Sequence, residues 1–269
     1  MEDTKERLDI FLLKKGFFDS RERAREAIKN KEVFLDGKIE EKCGRKVDLN
    51  AKIEFVGRKN PYVSRGGLKL EKAIKEYNID LTNKICMDIG ASTGGFTDCM
   101  MQNQCSKVYA IDVGTDQLHE KLRVNHNVIS MENTNIKDLS LEEIGEEIDF
   151  ISIDVSFISL EKVLPKAKEF LKKNGELLAL IKPQFQCTRG ELNKKGVVKN
   201  KKSHIRIIKE VIDFSQSLGL KVENVDYSPI KGPNGNIEYL MYCKNNNGIV
   251  ANIKDLNSVE IVERAFSIL

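Results

Sequence analysis

Between residues 85 and 243, apolar runs of strand length alternate with amphipathic stretches of helix length, and this alternation constrains the fold more than any other feature of the chain. The runs fall at Ile85–Asp88, Val108–Ile111, Phe150–Ile153 and Leu177–Ile181, with amphipathic stretches near 94–102, 115–122, 158–171 and 201–218. Strands separated by helices pair in parallel, so the pattern predicts a doubly wound α/β sheet covered on both faces. Two last strands, near 221–228 and 237–243, are separated by the turn Lys231-Gly232-Pro233-Asn234-Gly235. A connection so short requires an antiparallel pair. Residues 254–269, with Val259, Ile261, Val262, Ala265 and Phe266, predict one closing helix.

The N-terminal segment has a different rhythm. Leu8, Phe11, Leu12 and Leu13 form a helical stripe, and Asp19 or Ser20 caps a second helix carrying Ala24, Ala27 and Ile28. Val33-Phe34-Leu35 then meets Lys38-Ile39 through the hairpin dipeptide Asp36-Gly37, and Lys52–Val56 alternates like a strand. Residues 1–60 thus form a small α+β module, and Pro61 opens a linker over 61–64. A catalytic domain is expected over 65–246, with a C-terminal extension, helical in part, over 247–269. Arg21 and Arg25 share a helix face and could contact successive phosphates; Glu22 and Glu26 on the same helix leave a salt-bridged surface as the rival reading. Arg7-Leu8-Asp9, Ser20-Arg21-x-x-Ala24 and Val33–Lys38 resemble an S4 domain, a module that binds RNA on ribosomal proteins and RNA-modifying enzymes.

Net charge says little: 44 basic against 41 acidic residues give +3 over 269 residues. Its distribution says more, because Lys182 to Lys209 holds nine basic residues and one acidic, leaving the remainder at −5. Such a local field suits a polyanion, and Arg189, Lys194, Lys195 and Lys199 are its candidate contacts; a solvated lysine-rich loop is the plain alternative. The six cysteines form no C-x-x-C pair, which argues against zinc or a disulfide framework and for reduced thiols in a cytoplasmic protein. The charged start Met1–Glu6 is no signal peptide, and no apolar run approaches the roughly 20 residues that cross a bilayer.

Met87-Asp88-Ile89-Gly90-Ala91-Ser92-Thr93-Gly94-Gly95-Phe96-Thr97 follows a strand and opens a helix. It lacks the lysine of a phosphate-binding Walker loop and the second glycine of the dinucleotide fingerprint. A cationic ligand such as S-adenosylmethionine fits better. Its sulfonium and ammonium call for carboxylates, and Asp88 and Asp112 close consecutive strands. Gly90, Ala91, Ser92, Gly94, Gly95 and Phe96 would form the ligand cradle, with Asn135 (or Asn133) beyond the third strand near the adenine. A tight turn with a capping aspartate is the structural alternative.

Four polar residues stand in apolar or glycine-rich surroundings. Lys69 follows Ser64-Arg65-Gly66-Gly67, Asp154 ends Phe150–Ile153, Lys182 ends Leu177–Ile181, and Glu238 lies in the final hairpin. Open α/β sheets place ligands at the carboxyl ends of their strands, where Asp154 and Lys182 fall. An unactivated hydroxyl needs help losing its proton as it attacks a methyl carbon, and a desolvated lysine can give it. Each residue alone has a bland explanation as helix surface, cap or edge charge.

Lys69, Asp154, Lys182 and Glu238 match in order the Lys-Asp-Lys-Glu set of FtsJ-like ribose methyltransferases. Together with Ser64–Leu70, Asp154–Ser159, Lys182–Phe185 and the N-terminal module, the chain resembles the TlyA/hemolysin A family over about residues 5–243. The resemblance implies a Rossmann-like class I methyltransferase fold with a mostly parallel seven-stranded sheet, S-adenosylmethionine as cofactor, and 2′-O-methylation of cytidine in ribosomal RNA or a ribosomal subunit. It implies no metal, a catalytic role for the four polar residues, and RNA contacts from Arg7, Arg21, Arg23, Arg25 and Arg65. Two other classes remain open on the residues: a membrane-lysing toxin, as the family name suggests, and a non-catalytic RNA-binding assembly factor. The first needs an amphipathic or spanning segment that is not legible here, and the second leaves the cofactor loop without a purpose.

Overall fold

The computed structural model describes residues 5–18, 21–57, 60–246 and 256–269. The chain divides into two compact units, 1–59 and 60–269.

In the first unit β1 (Lys5–Arg7) leads into α1 (Leu8–Lys14) and α2 (Arg21–Lys29). Strands β2 (Val33–Leu35), β3 (Lys38–Ile39), β4 (Lys46–Asp48) and β5 (Ile53–Phe55) follow. The β2–β3 hairpin turns on Asp36 and Gly37, both at positive φ (50° and 76°), the mirror-image turn whose twist suits paired strands. β2 pairs antiparallel with β5, and β1 with β4. Leu8, Phe11, Leu12, Ala24, Ile28, Val33 and Val47 close a core under the sheet. The expected cap of α2 at Asp19 or Ser20 lies outside the described residues.

The second unit begins with α3 (Gly66–Tyr77), β6 (Ile85–Ile89), α4 (Gly95–Gln102) and β7 (Lys107–Ile111). The order continues with α5 (Glu120–Arg123), β8 (Val128–Met131), α6 (Leu141–Ile144), β9 (Ile148–Ile153) and α7 (Leu164–Phe170). It ends with β10 (Leu171–Ile181), α8 (Pro183–Gln186), α9 (Lys201–Ser217), β11 (Leu220–Tyr227), β12 (Tyr239–Asn245) and α10 (Ser258–Ile268). The seven strands run β11-β12-β10-β9-β6-β7-β8. Five are parallel, and β12 lies antiparallel between β10 and β11. The reversal in strand order lies between β6 and β9, where α/β sheets open a crevice for ligands.

Burial on both faces explains the unbroken apolar runs. Leu177, Ala179 and Ile181 pack into one core cluster with α7, α9 and α10, while Leu178 and Leu180 join the other with α3 and α4. Each fully buried aliphatic side chain contributes about 1.5–3 kcal/mol. The amphipathic stretch expected at 115–122 is shorter as a helix, only Glu120–Arg123, because Asp112 and Glu132 accept backbone amides (Gly114, Gln117 and Leu118) and fix an irregular path before it. β10 starts six residues earlier than its apolar run, directly from α7, with a register break between Leu171 and Glu176.

Candidate active site

The four polar residues singled out from the sequence meet at the carboxyl rim of the sheet. Pairing of Ile181 with Tyr239 sets Lys182, just past β10, beside Glu238, just before β12. Because β12 runs antiparallel, its beginning lies where the parallel strands end. Pro183 opens α8 and stops β10, which leaves Lys182 at the edge. α3 presents Lys69 from its buried face.

The resulting chain of charge alternates in sign. Lys182 Nζ lies 2.5 Å from Asp154 Oδ1 and donates to Ser156 Oγ at 3.2 Å. Lys69 Nζ donates to Glu238 Oε2 at 2.7 Å and to Asp154 Oδ2 at 3.4 Å. Glu238 is fully buried, and Lys69 and Lys182 nearly so. Burial alone would disfavour the Lys69 ammonium, but Asp154 and Glu238 reverse this and hold it above its ordinary pKa. Burial would likewise raise Asp154, yet Lys69 and Lys182 keep its carboxyl below the usual range. Lys182 therefore faces the Asp154 carboxylate expected from sequence and, in addition, the Ser156 hydroxyl. Removing any member leaves a buried charge unpaired, which is the expensive case for such networks.

The glycine loop forms the opposite wall of a cleft of about 380 Å³, inside the roughly 300–1,000 Å³ range of small-molecule sites. Gly90 sits at φ +86°, and a Cβ there would come within 2.6 Å of the Asp154 carbonyl oxygen. Only glycine allows β6 and β9 to approach so closely at their ends. Gly95 starts α4, where a Cβ would strike Ser64 Oγ at 2.2 Å. Ala91, Ser92, Phe96 and Arg65 also line the cleft. These bare backbones and the carboxylates beside them fit a cationic ligand such as S-adenosylmethionine.

Asp88 lines the cleft but is fully buried. Its Oδ2 accepts from Thr97 N at 3.0 Å and Thr97 Oγ1 at 2.7 Å, and its Oδ1 from Ser152 Oγ at 2.8 Å. Burial pushes its carboxyl up to about 6 against these hydrogen bonds. Three expected cofactor residues stand apart from the cleft lining. Asp112 accepts from Ser92 N and Gly114 N, each at 2.7 Å, and so braces the loop. Gly94 caps α4 at φ +93° against Leu118 and Leu122. Asn135 caps a short helical turn by accepting from Lys137 N at 3.2 Å.

Other side chains were not legible beforehand. Thr97 and Ser152 hold Asp88, and Ser156 touches Lys182. Phe157 stands 91% exposed at φ +63°, its ring centroid 5.1 Å from that of Phe185. No periodicity signals an aromatic forced into the left-handed region on a loop.

In the first unit, Arg7, Arg21 and Arg25 converge on one buried carboxylate. Asp9 accepts from Arg7 Nε and Nη2 at 3.0 Å each, from Arg21 Nε at 3.0 Å and from Arg25 Nε at 2.9 Å. The shared face of Arg21 and Arg25 therefore turns partly inward, and each side chain stays about two-fifths exposed. Asp9 is held well below the usual carboxylate range, chiefly by its hydrogen bond from Arg7. The side chain of Arg23 lies outside the described residues. Arg189, Lys194, Lys195 and Lys199 are exposed on the second unit.

The S4 domain family matches residues 6–53 and the FtsJ-like methyltransferase family residues 62–245. YqxC of Bacillus subtilis, provisionally named an rRNA methyltransferase, is 42% identical over 90% of this chain and 86% of its own. A protein of Mycobacterium tuberculosis named 16S/23S rRNA (cytidine-2′-O)-methyltransferase TlyA is 34% identical over 97% of each chain. A solved structure from Streptococcus thermophilus, provisionally named a hemolysin, superposes with a TM-score of 0.80 at 39% identity, covering 98% of this chain and 97% of that one. Fold, paired domains and relatives agree: the chain belongs to the TlyA/hemolysin A family of S4-bearing, FtsJ-like S-adenosylmethionine-dependent methyltransferases.

Proposed function

We propose that the protein methylates a ribose 2′-hydroxyl of cytidine in ribosomal RNA, within a ribosomal subunit or its precursor in the cytoplasm. The observation that carries this reading is the buried Lys182–Asp154–Lys69–Glu238 chain facing a glycine-lined cleft. In this assignment residues 1–60 dock on RNA, 61–64 connect, 65–246 carry the chemistry and 247–269 form an extension. Asp88, Gly90, Ala91, Ser92, Gly94, Gly95, Phe96, Asp112 and Asn135 would hold S-adenosylmethionine, Asp112 also bracing the loop through Ser92 N and Gly114 N. Bound there, it supplies an electrophilic methyl group. Names carried by relatives support the nucleotide and the ribosomal RNA.

A hydroxyl attacking a methyl carbon must lose its proton in the same event. Lys182 Nζ, paired with Asp154 at 2.5 Å, can serve as ammonium to stabilise the developing alkoxide while the proton passes to water, or, after giving its own proton to water, take the hydroxyl proton itself. Lys69, held charged between Asp154 and Glu238, keeps Asp154 ionised and its carboxylate fixed in orientation. In the described residues no helix is long and apolar enough to cross a membrane.

Mapping ribose methylation in rRNA from cells with and without the protein tests the reading. A cytidine methyl group should disappear with the protein and return with wild type but not with Lys182→Ala. Purified Lys182→Ala should lose about 10²–10⁴-fold in kcat while binding RNA normally. An unaltered methylation map, or equal loss of RNA binding, would count against it.

A further inference from the structure

The basic residues between 182 and 209 are not equivalent once their partners are considered. Lys182 belongs to the buried chain, Lys201 pairs with Glu263, and Arg206 is held between Glu191 and Glu210. Lys194, Lys195 and Lys199 are exposed and have no carboxylate partner among the described residues. These three, with Asn193, Asn234 and Gly235, line a second groove of about 460 Å³.

The groove adjoins the catalytic cleft through one loop. Lys231, Gly232 and Pro233 line the cleft, and the next two residues line the groove. The two sides are stitched together: Asn236 Nδ2 donates to the Gly196 carbonyl at 3.3 Å. Asn193 Oδ1 accepts from Lys195 N at 2.8 Å and Val197 N at 3.0 Å, which fixes the lysine loop in shape. Unpaired cations on a concave, pre-set wall focus potential toward a polyanion.

We propose that cleft and groove are one continuous path for single-stranded RNA. The strand leaving the target ribose crosses the loop 231–235 past Lys231 and enters the groove, where backbone phosphates meet Lys194, Lys195 and Lys199. The proposal rests on the RNA-ribose reading of the cleft. Lys182 is only 6% exposed, so a ribose reaches it only from an unstacked nucleotide, and the path is that of a target in a loop or other unpaired segment, whose flank is free to follow the groove. With three lysines and no aromatic ring along the lining, the groove holds phosphate and ignores base identity.

The full-length protein with Lys194→Gln, Lys195→Gln and Lys199→Gln tests the path against rRNA from cells lacking the modification. KM should rise about tenfold or more with kcat within about twofold, and the salt dependence of binding should flatten by about 2, at roughly 0.7 per lost contact on a single strand. Lys231→Gln should act in the same direction with a smaller change. A photoreactive residue at position 234 should cross-link within about four nucleotides of the methylated ribose, on one side only. Unchanged KM and salt slope, or cross-links scattered through the RNA, would overturn the path. If wild type methylates no rRNA, the cleft reading fails, and binding of a twelve-nucleotide single strand still judges the groove: an unchanged slope in the triple variant refutes it and a flattened one supports it.

Discussion

Asp88 is a carboxylate that the fold makes costly to ionise. Its folded value near 6 lies above the roughly 3.9 of an unfolded aspartate, so the native state holds the proton more tightly. Its stabilising contribution is present below about pH 4, is lost as pH rises through 6, and amounts to roughly 3 kcal/mol in all. An uncharged amide avoids that penalty. Asp88→Asn should therefore gain about 1–2 kcal/mol over wild type at pH 8 and little at pH 4.5, measured by urea unfolding at both. The same variant should bind S-adenosylmethionine at least about tenfold more weakly by calorimetry, since the ligand's ammonium loses its counter-charge. Equal stability at pH 8 would show that burial does not control this group. In sequence Asp88 reads as a ligand residue; that Thr97 and Ser152 already occupy its oxygens depends on the β6–β9 pairing of Asp88 with Ser152, which no local pattern encodes.

At the level of elements, the runs that become β6, β7, β9 and β10 were readable because burial on both faces leaves no polar break. β8 has no such run, for the opposite reason: Ile129 and Ser130 are exposed on an edge strand. The turn after β6 was recognisable by its glycines, but the requirement at Gly90 comes from Asp154, 64 residues away. Gly90→Ala would press a methyl group on that carbonyl at positive φ, a strain of about 1–2 kcal/mol. Activity should fall further than stability does, because the displaced strand end carries Asp154; a thermal melt compared with kcat separates the two. The loop after β9 offers a contrasting case. Phe157 is almost fully exposed, so Phe157→Ala should leave stability within about 0.5 kcal/mol. A base stacking on that ring is worth about 1–3 kcal/mol, so RNA affinity should drop roughly 5- to 100-fold. Unaltered affinity would rule out stacking there.

For the molecule as a whole, the near-neutral net charge conceals two places where cations gather: the Asp9-centred arginines of one unit and the unpaired lysines of the other. Charge counting along the chain found the residues but not their pairing, which is why Arg206 and Lys201 could not be told from Lys194. Arg21→Gln with Arg25→Gln should weaken RNA binding and flatten its salt dependence by about 1–2, with kcat unchanged at saturating RNA. A fall in kcat instead would place these arginines in folding or catalysis.

Strand order carries a consequence for how the protein comes into being. Lys69, Asp154, Lys182 and Glu238 span 169 positions of sequence, and the last of them arrives with β12, which must insert between two strands already synthesised. The buried charge chain at the rim of the sheet therefore stays incomplete in a nascent chain until its final hairpin has closed.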